Sequence, residues 1–241
     1  MSKKDDIYEK RMDKVAPFSF SREVADAFDD MAQRSIPLYM DMQRVIARFS
    51  LEYYKKGSLI YDLGCSTGNT AIEIFKEFNK ADIGAPEIIS IDKSIHMIEI
   101  AKGKYFQQNV KWICDSAENV SFENASVVIG SFILQFLDHS EKKEIIKRVS
   151  HGLMDGGIFI LCEKVISEDK TIDSISRELY HAFKMNTGYS QLEIEQKERA
   201  LENVLKPFTL EKYNDFLKQA GFNKIDVVLK YLNFMCLVAV K

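Results

Sequence analysis

Apolar positions follow two spacings that take turns along the chain. Short, near-continuous apolar runs read as strands, and runs with apolar residues every three or four positions read as helices. Ser21 caps a first helix carrying Val24, Phe28 and Met31, and Pro37 sits in the first turn of a second carrying Tyr39, Met42, Val45, Ile46 and Phe49. A strand at Leu59–Leu63 runs into a helix from Thr70 to about Phe78. Strands follow at Glu87–Asp92, Val110–Cys114 and Ala125–Gly130, the last so uniformly apolar that both its faces are expected to be buried. Ser140 caps a helix from about Glu141 to Leu153, broken by Asp155-Gly156-Gly157 before a strand at Ile158–Cys162. A helical stretch over 173–203 breaks near Asn186–Ser190, and Thr209 caps a helix over 210–220 that ends at Gly221. Two strands close the chain near 225–230 and 234–240, with Asn233 between them. Residues 1 to about 17 are polar and charged and are expected to be loosely held.

Helix and strand alternate without linker or repeat. This predicts one doubly wound α/β domain over residues 1–241, with a mostly parallel sheet of seven strands. The prefix 1–56 is expected to fold over the sheet as a helical lid, and 173–203 forms an insertion before the last two strands. Composition narrows the picture only a little. The 241 residues, 46% hydrophobic and 29% charged, suit a globular protein with a sizeable core. A net charge of -3 offers no broad basic field, which argues against direct nucleic acid binding. No apolar run is long enough to span a membrane, and the N-terminus lacks the apolar core of a secretory signal. Cys65, Cys114, Cys162 and Cys236 are scattered and read as reduced thiols, and a cytoplasmic location is expected. His96, His139, His151 and His181 lack metal-ligand spacing, so no metal site is expected.

The chemistry concentrates at Leu59 to Asn69, where a strand ends in Asp62-Leu63-Gly64-Cys65-Ser66-Thr67-Gly68 and a helix follows at once. Strand, glycine turn and helix is the form of a nucleotide-binding first unit, in which glycine lets the backbone approach a ligand. The loop has two glycines rather than the three of a dinucleotide fingerprint, and a plain βα turn of another α/β protein has the same outline. Asp92 ends the next strand at the spacing of a ribose-binding acid; the alternative is a helix cap, a place that Ser94 fills better. Asp115 ends the third strand, where it would accept from an adenine amino group or form a turn. Gly64, Asp92, Asp115 and Ser131 all fall at carboxyl ends of strands, where such sheets bind ligands. Arg34 and Lys164 are further candidates for holding an anion, with solvation at the surface as the alternative.

The run Asp62-Leu63-Gly64-Cys65-Ser66-x-Gly68 resembles the first motif of class I S-adenosylmethionine (SAM) methyltransferases. Four stretches go further: Phe28-Asp29-Asp30-Met31-x-Gln33-Arg34-Ser35-Ile36-Pro37-x-Tyr39, Tyr61 to Ser66, Glu123 to Ser126 leading to Leu134-Gln135-Phe136-Leu137, and Gly188-Tyr189-Ser190-x-Leu192-Glu193-Ile194-x-Gln196-Lys197 with Leu201-Glu202-Asn203-Val204. Together they resemble the carboxy-S-adenosylmethionine synthase family over nearly the whole chain. That resemblance implies a Rossmann-like fold and a homodimer that turns SAM and prephenate into carboxy-SAM and phenylpyruvate, supplying a donor for wobble-uridine modification of tRNA. The ring carboxylate of prephenate leaves as carbon dioxide and is captured by the deprotonated methyl group of SAM. The implied cofactor contacts are Tyr39, Gly64, Cys65, Ser66, Asp92, Lys93, Asp115, Ser116, Ser131 and Arg199. No catalytic side chain is implied.

The chain departs from the family at three of these places. Lys93 follows the ribose acid where the family has asparagine, and Ser131 stands where asparagine ends the fourth strand. Glu198 directly follows Gln196-Lys197, where the family carries the arginine that holds the added carboxylate, and Arg199 comes one place later. One helical step turns a side chain by about 100°, so Arg199 needs a local shift of register to serve. Without it, the resemblance leaves open a conventional SAM-dependent small-molecule methyltransferase, or a non-catalytic SAM-binding protein.

Overall fold

The computed structural model describes residues 3–105 and 109–241. In chain order the elements are α1 (Arg22–Ser35), α2 (Tyr39–Tyr53), β1 (Leu59–Leu63), α3 (Asn69–Lys80), β2 (Glu87–Asp92), α4 (Ile95–Lys104), β3 (Val110–Cys114) and β4 (Ala125–Ser131). They continue with α5 (His139–Gly152), β5 (Leu153–Lys164), α6 (Lys170–Asn186), α7 (Gln191–Leu201), α8 (Leu210–Gln219), β6 (Lys224–Tyr231) and β7 (Phe234–Val240). The strands form one seven-stranded sheet in the order β3-β2-β1-β4-β5-β7-β6. Only β7 runs against its neighbours, between β5 and β6. The predicted Rossmann-like, mostly parallel α/β architecture is therefore what the chain adopts.

The two-residue period of the strands sends alternate side chains to opposite faces. On one face Val128, Phe159 and Leu161 pack with Ile145 and Val149 of α5 and Phe216 and Leu217 of α8. On the other, Val127, Ile129, Ile158 and Ile160 pack with Ile46 of α2, Ile74 and Phe78 of α3 and Tyr180 of α6. Each such aliphatic side chain contributes about 1.5–3 kcal/mol by leaving water. A third, smaller cluster joins Val24 and Met31 of α1 to Met97 of α4, which ties the N-terminal prefix to the sheet's end.

Several boundaries differ from the expectation, each for a local reason. α2 starts at Tyr39 rather than around Pro37, because Leu38 takes a left-handed conformation at the cap (φ 56). α5 starts two residues early: Asp138 occupies the N-cap, its N–H donating to the Glu141 carboxylate, and Ser140 lies inside the helix. β5 begins at Leu153, so Asp155-Gly156-Gly157 belongs to a strand that starts bridged to Ala125.

The largest difference concerns the N-terminal segment, which is held rather than loose. Met1 and Ser2 lie outside the described residues, but Asp5 is buried and accepts from Lys197 Nζ at 3.0 Å and from the Tyr189 hydroxyl. Gln196 donates to Tyr8 O (2.8 Å) and Lys10 O (2.9 Å) and accepts from Met12 N (2.7 Å). A polar stretch looks unconstrained in sequence when its partners are polar groups on a distant helix. Here that helix is α7, whose start is fixed by a capping box: Ser190 Oγ accepts from Glu193 N (3.3 Å), and the Glu193 carboxylate accepts from Ser190 N (2.7 Å). Losing a serine cap costs about 1 kcal/mol. Ser190→Ala is expected to lower the free energy of unfolding in urea by about that amount, and an unchanged midpoint would show that the N-terminal segment alone fixes α7.

Candidate functional site

β1 and β4 lie side by side, yet α3 leaves β1 for one face of the sheet and α5 follows β4 on the other. The divergence opens a crevice at the carboxyl ends of the strands. A cavity of about 540 Å³ fills it, floored by the strand-end loops and walled by α1, α2, α6 and α7. Gly64, Cys65, Ser66, Asp92, Lys93, Asp115, Ser116 and Ser131 all line it, as does Tyr39 from α2. Nine of the ten predicted site residues are thus brought to one place.

Gly64 sits at φ +67, and a Cβ there would meet the Ile133 side chain at 3.0 Å. The loop is then laid across the end of β2: Cys65 N donates to Ile91 O (2.9 Å) and Ser66 N to Asp92 Oδ2 (3.0 Å). Burial raises the pKa of both the Cys65 thiol and the Asp92 carboxyl. Asp92 also takes the Ser94 N–H on Oδ1 (2.8 Å), while Ser94, although at the cap position of α4, gives its hydroxyl to Phe20 O (2.9 Å). Asp92 therefore shapes the loop with both oxygens and keeps lone pairs for a ligand. Asp115 is exposed, and its Oδ1 accepts from Ser116 N (2.7 Å) and Asn119 (2.8 Å), which lowers its pKa. It makes a turn, and it lines the cavity as well.

Several residues that the sequence analysis did not single out complete this end. Asn69 donates to Asp29 (3.1 Å) and to the Tyr39 hydroxyl (3.4 Å), and Asp29 also holds Thr67 Oγ1 and Lys104. Burial opposes the charge of Asp29, but Lys104 and Thr67 outweigh it and lower its pKa. Asp62, just before the glycine loop, is 0% exposed, and neither of its oxygens has a donor. Burial, then repulsion from Asp92, pushes its pKa up to about 8. Gln43, on the cavity wall, has a buried Oε1 that is also without a donor. Two orphaned acceptors beside a glycine cradle fit a ligand group that carries positive charge and N–H donors, such as an amino acid ammonium. An acid inside an otherwise apolar run was the sequence signal for Asp62.

The other end of the cavity is cationic and aromatic, with Lys164, Lys184, Lys197, Glu198, Tyr180 and Phe234. Lys184 is buried, its Nζ 3.2 Å from Glu198 Oε1 and 4.5 Å from the centroid of the Tyr180 ring. His181 also pairs with Glu198. Arg199 does not reach this cavity. α7 is unbroken from Gln191 to Leu201, with no shift of register, so Glu198 faces inward and Arg199 lies exposed in a separate surface hollow with Arg11 and Asp13. Arg34 is likewise no anion holder: its guanidinium clamps Thr187 O (2.9 Å), Asp5 O (3.0 Å) and Asp30 (3.1 Å) and stacks 3.9 Å from the Tyr189 ring centroid. Lys164, the other candidate, does line the cavity.

A family profile described as a methyltransferase domain matches residues 60–157. A carboxy-S-adenosyl-L-methionine synthase of Desulforapulum autotrophicum is 40% identical over 99% of this chain and 97% of its own length. Its counterparts in Shewanella piezotolerans (37%, 100% of this chain and 99% of theirs) and Actinobacillus pleuropneumoniae (35%, 99% of each) align as fully. Among solved structures, an O-methyltransferase family protein from Burkholderia thailandensis superposes with a TM-score of 0.66 at 15% identity, covering 95% of this chain and 65% of that one. Human N-acetylserotonin methyltransferase in complex with SAM gives 0.63 at 16%, covering 91% and 55%. At those identities the structures speak for the fold.

The raised pKa of Asp62 has a measurable sign. The folded chain keeps a proton that the unfolded chain releases, so this stability is present below the ordinary carboxylate range and is lost as pH rises towards about 8. Asp62→Asn is expected to flatten part of that fall in ligand-free protein, leaving the share due to Glu163, which burial also pushes up to about 8. Urea denaturation across this range checks it; an unchanged slope in the variant would mean that Asp62 does not titrate there.

Proposed function

The chain belongs to the carboxy-S-adenosyl-L-methionine synthase family, and from that premise we propose that it converts SAM and prephenate into carboxy-SAM and phenylpyruvate. One observation carries this reading. A single cavity joins an end suited to the nucleoside and amino acid parts of SAM to an end with lysines and aromatic rings, suited to a cyclic dianion. Asp92 would accept from the ribose hydroxyls, and Asp115 with Ser116 would meet the adenine. Gly64, Cys65 and Ser66 would lie along the methionine part beside Tyr39, with Lys93 and Ser131 at the rim. Gln43 would receive its ammonium, with the Asp62 carboxyl buried behind the glycine loop. Bound SAM supplies a sulfonium that makes the neighbouring methyl protons acidic. The chain's own contribution is position and dryness. Phe18, Phe20 and Phe28 of the N-terminal prefix line the cavity and would help to keep water from the reacting groups. The product would then serve as the donor for wobble-uridine modification of tRNA.

A conventional methyltransferase is the second reading, favoured by Glu198 facing the place where a carboxylate would sit. Incubating purified protein with SAM and prephenate and following both products by mass spectrometry separates the two. Prephenate-dependent carboxy-SAM is expected, and methyl transfer to an acceptor without it would reverse the choice. Asp92→Asn is expected to weaken SAM binding about tenfold or more in titration calorimetry, because a charge-assisted hydrogen bond contributes about 1.5–3 kcal/mol. An unaltered affinity would remove Asp92 from the ribose site.

The homodimer and the location belong to the same reading. Ile172, Ile175, Leu179 and Met185 of α6 are each about half exposed or more (57%, 51%, 52% and 52%), with the first three at helical spacing on one face. A second copy of the chain is the occupant that we assign to this stripe. The four unbridged cysteines suit a reducing cytoplasm, and no described helix is long and apolar enough to cross a membrane. Light scattering is expected to give a dimer for the wild type and a monomer for Leu179→Glu, and a dimeric variant would place the interface elsewhere.

A further inference from the structure

We propose that Lys164 binds the side-chain carboxylate of the second substrate, an assignment that rests on the carboxy-transfer reading above. Lys164 ends β5, two residues beyond the position paired with Ser131, and so overhangs the cavity beside the end of β4. Its backbone N–H donates to Gln135 Oε1 (3.2 Å), which fixes the residue's main chain. Its ammonium lies 4.8 Å from the Tyr180 ring centroid and 5.9 Å from that of Phe234. The Tyr180 ring is held in turn by its hydroxyl, which donates to Ser35 O (2.9 Å).

The ion pairs of this end leave Lys164 as the odd one out. Lys184 has Glu198, and Lys197 has Asp5 at 3.0 Å. Among the described residues, Lys164 Nζ makes no salt bridge, and its contacts are aromatic faces. Burial, then the charge of Lys184, pushes its pKa down to about 8, so the ammonium is held at a cost that an incoming anion would relieve. Glu198 is already shared by Lys184 and His181, and Glu198 and Asp173 act on Lys164 only at longer range, which leaves it facing the cavity without a direct ion pair among the described residues. Aromatic walls from Phe132, Tyr180 and Phe234 surround the spot. The chemistry selected is a small carboxylate on a ring-bearing apolar body. The lysine would then hold the side-chain carboxylate, the one that phenylpyruvate retains, and leave the ring carboxylate free to depart beside the cofactor's methyl group.

The test is titration calorimetry of phenylpyruvate into SAM-saturated full-length protein. Lys164→Met is expected to raise the dissociation constant at least tenfold while leaving that for SAM within about twofold, and Lys164→Arg is expected to restore most of the affinity. Lys164→Gln replaces the methionine variant if thermal melting shows that the latter is unfolded. Equal phenylpyruvate binding by wild type and neutral variants, or no binding by the wild type, would overturn the assignment. Lys164-dependent phenylpyruvate binding without any carboxy-SAM formation would remove the reaction and leave the carboxylate site standing.

Discussion

Both faces of the central sheet are sealed by aliphatic and aromatic side chains, and that seal decides where chemistry is possible. Polar groups on the inner strands have nowhere to go but the strand ends, where the backbone turns and water or a ligand satisfies it. β1, β2, β3 and β4 each end in or beside a polar residue, and the divergence of α3 and α5 keeps the space above them empty. Asp62, Ser90, Ser126 and Glu163 are the inner polar groups that stay buried within the sheet. Asp62 lies within a strand, buried with no donor, and its carboxyl is pushed towards neutrality.

The strand-end residues were legible because their signal is local. Gly64 had to be glycine for its φ and for Ile133, and Asp92 followed a short apolar run at a familiar interval. What escaped the sequence was orientation and long-range pairing. Arg199 and Glu198 are adjacent in the chain, and only the uninterrupted hydrogen bonding of α7 determines which one looks inward. The N-terminal segment read as loose because a polar run carries no mark of the buried lysine and glutamine that await it. Helix starts moved by one to three residues, since several residues in a row are able to cap and geometry chooses among them.

The substituted position on α7 is balanced within the site. Where the resemblance implies a cation, this chain has a carboxylate, and that carboxylate is taken up by Lys184 and His181. Of the lysines at this end, the one without a direct ion pair ends a strand, and its main chain is pinned by Gln135.

The staple between the first residues and α7 also bears on how the protein is made. Asp5 and Lys197 are 192 positions apart, and Gln196 reaches back 188 positions to Tyr8. Contacts that close such long loops form late, after local structure has paid its entropy. On the ribosome, the cavity wall stays incomplete until α7 has emerged, although the glycine loop and its strand were synthesised long before. A chain that ended before α7 would keep the glycine loop but lack the part of the cavity wall formed by Lys197, Glu198 and Leu201.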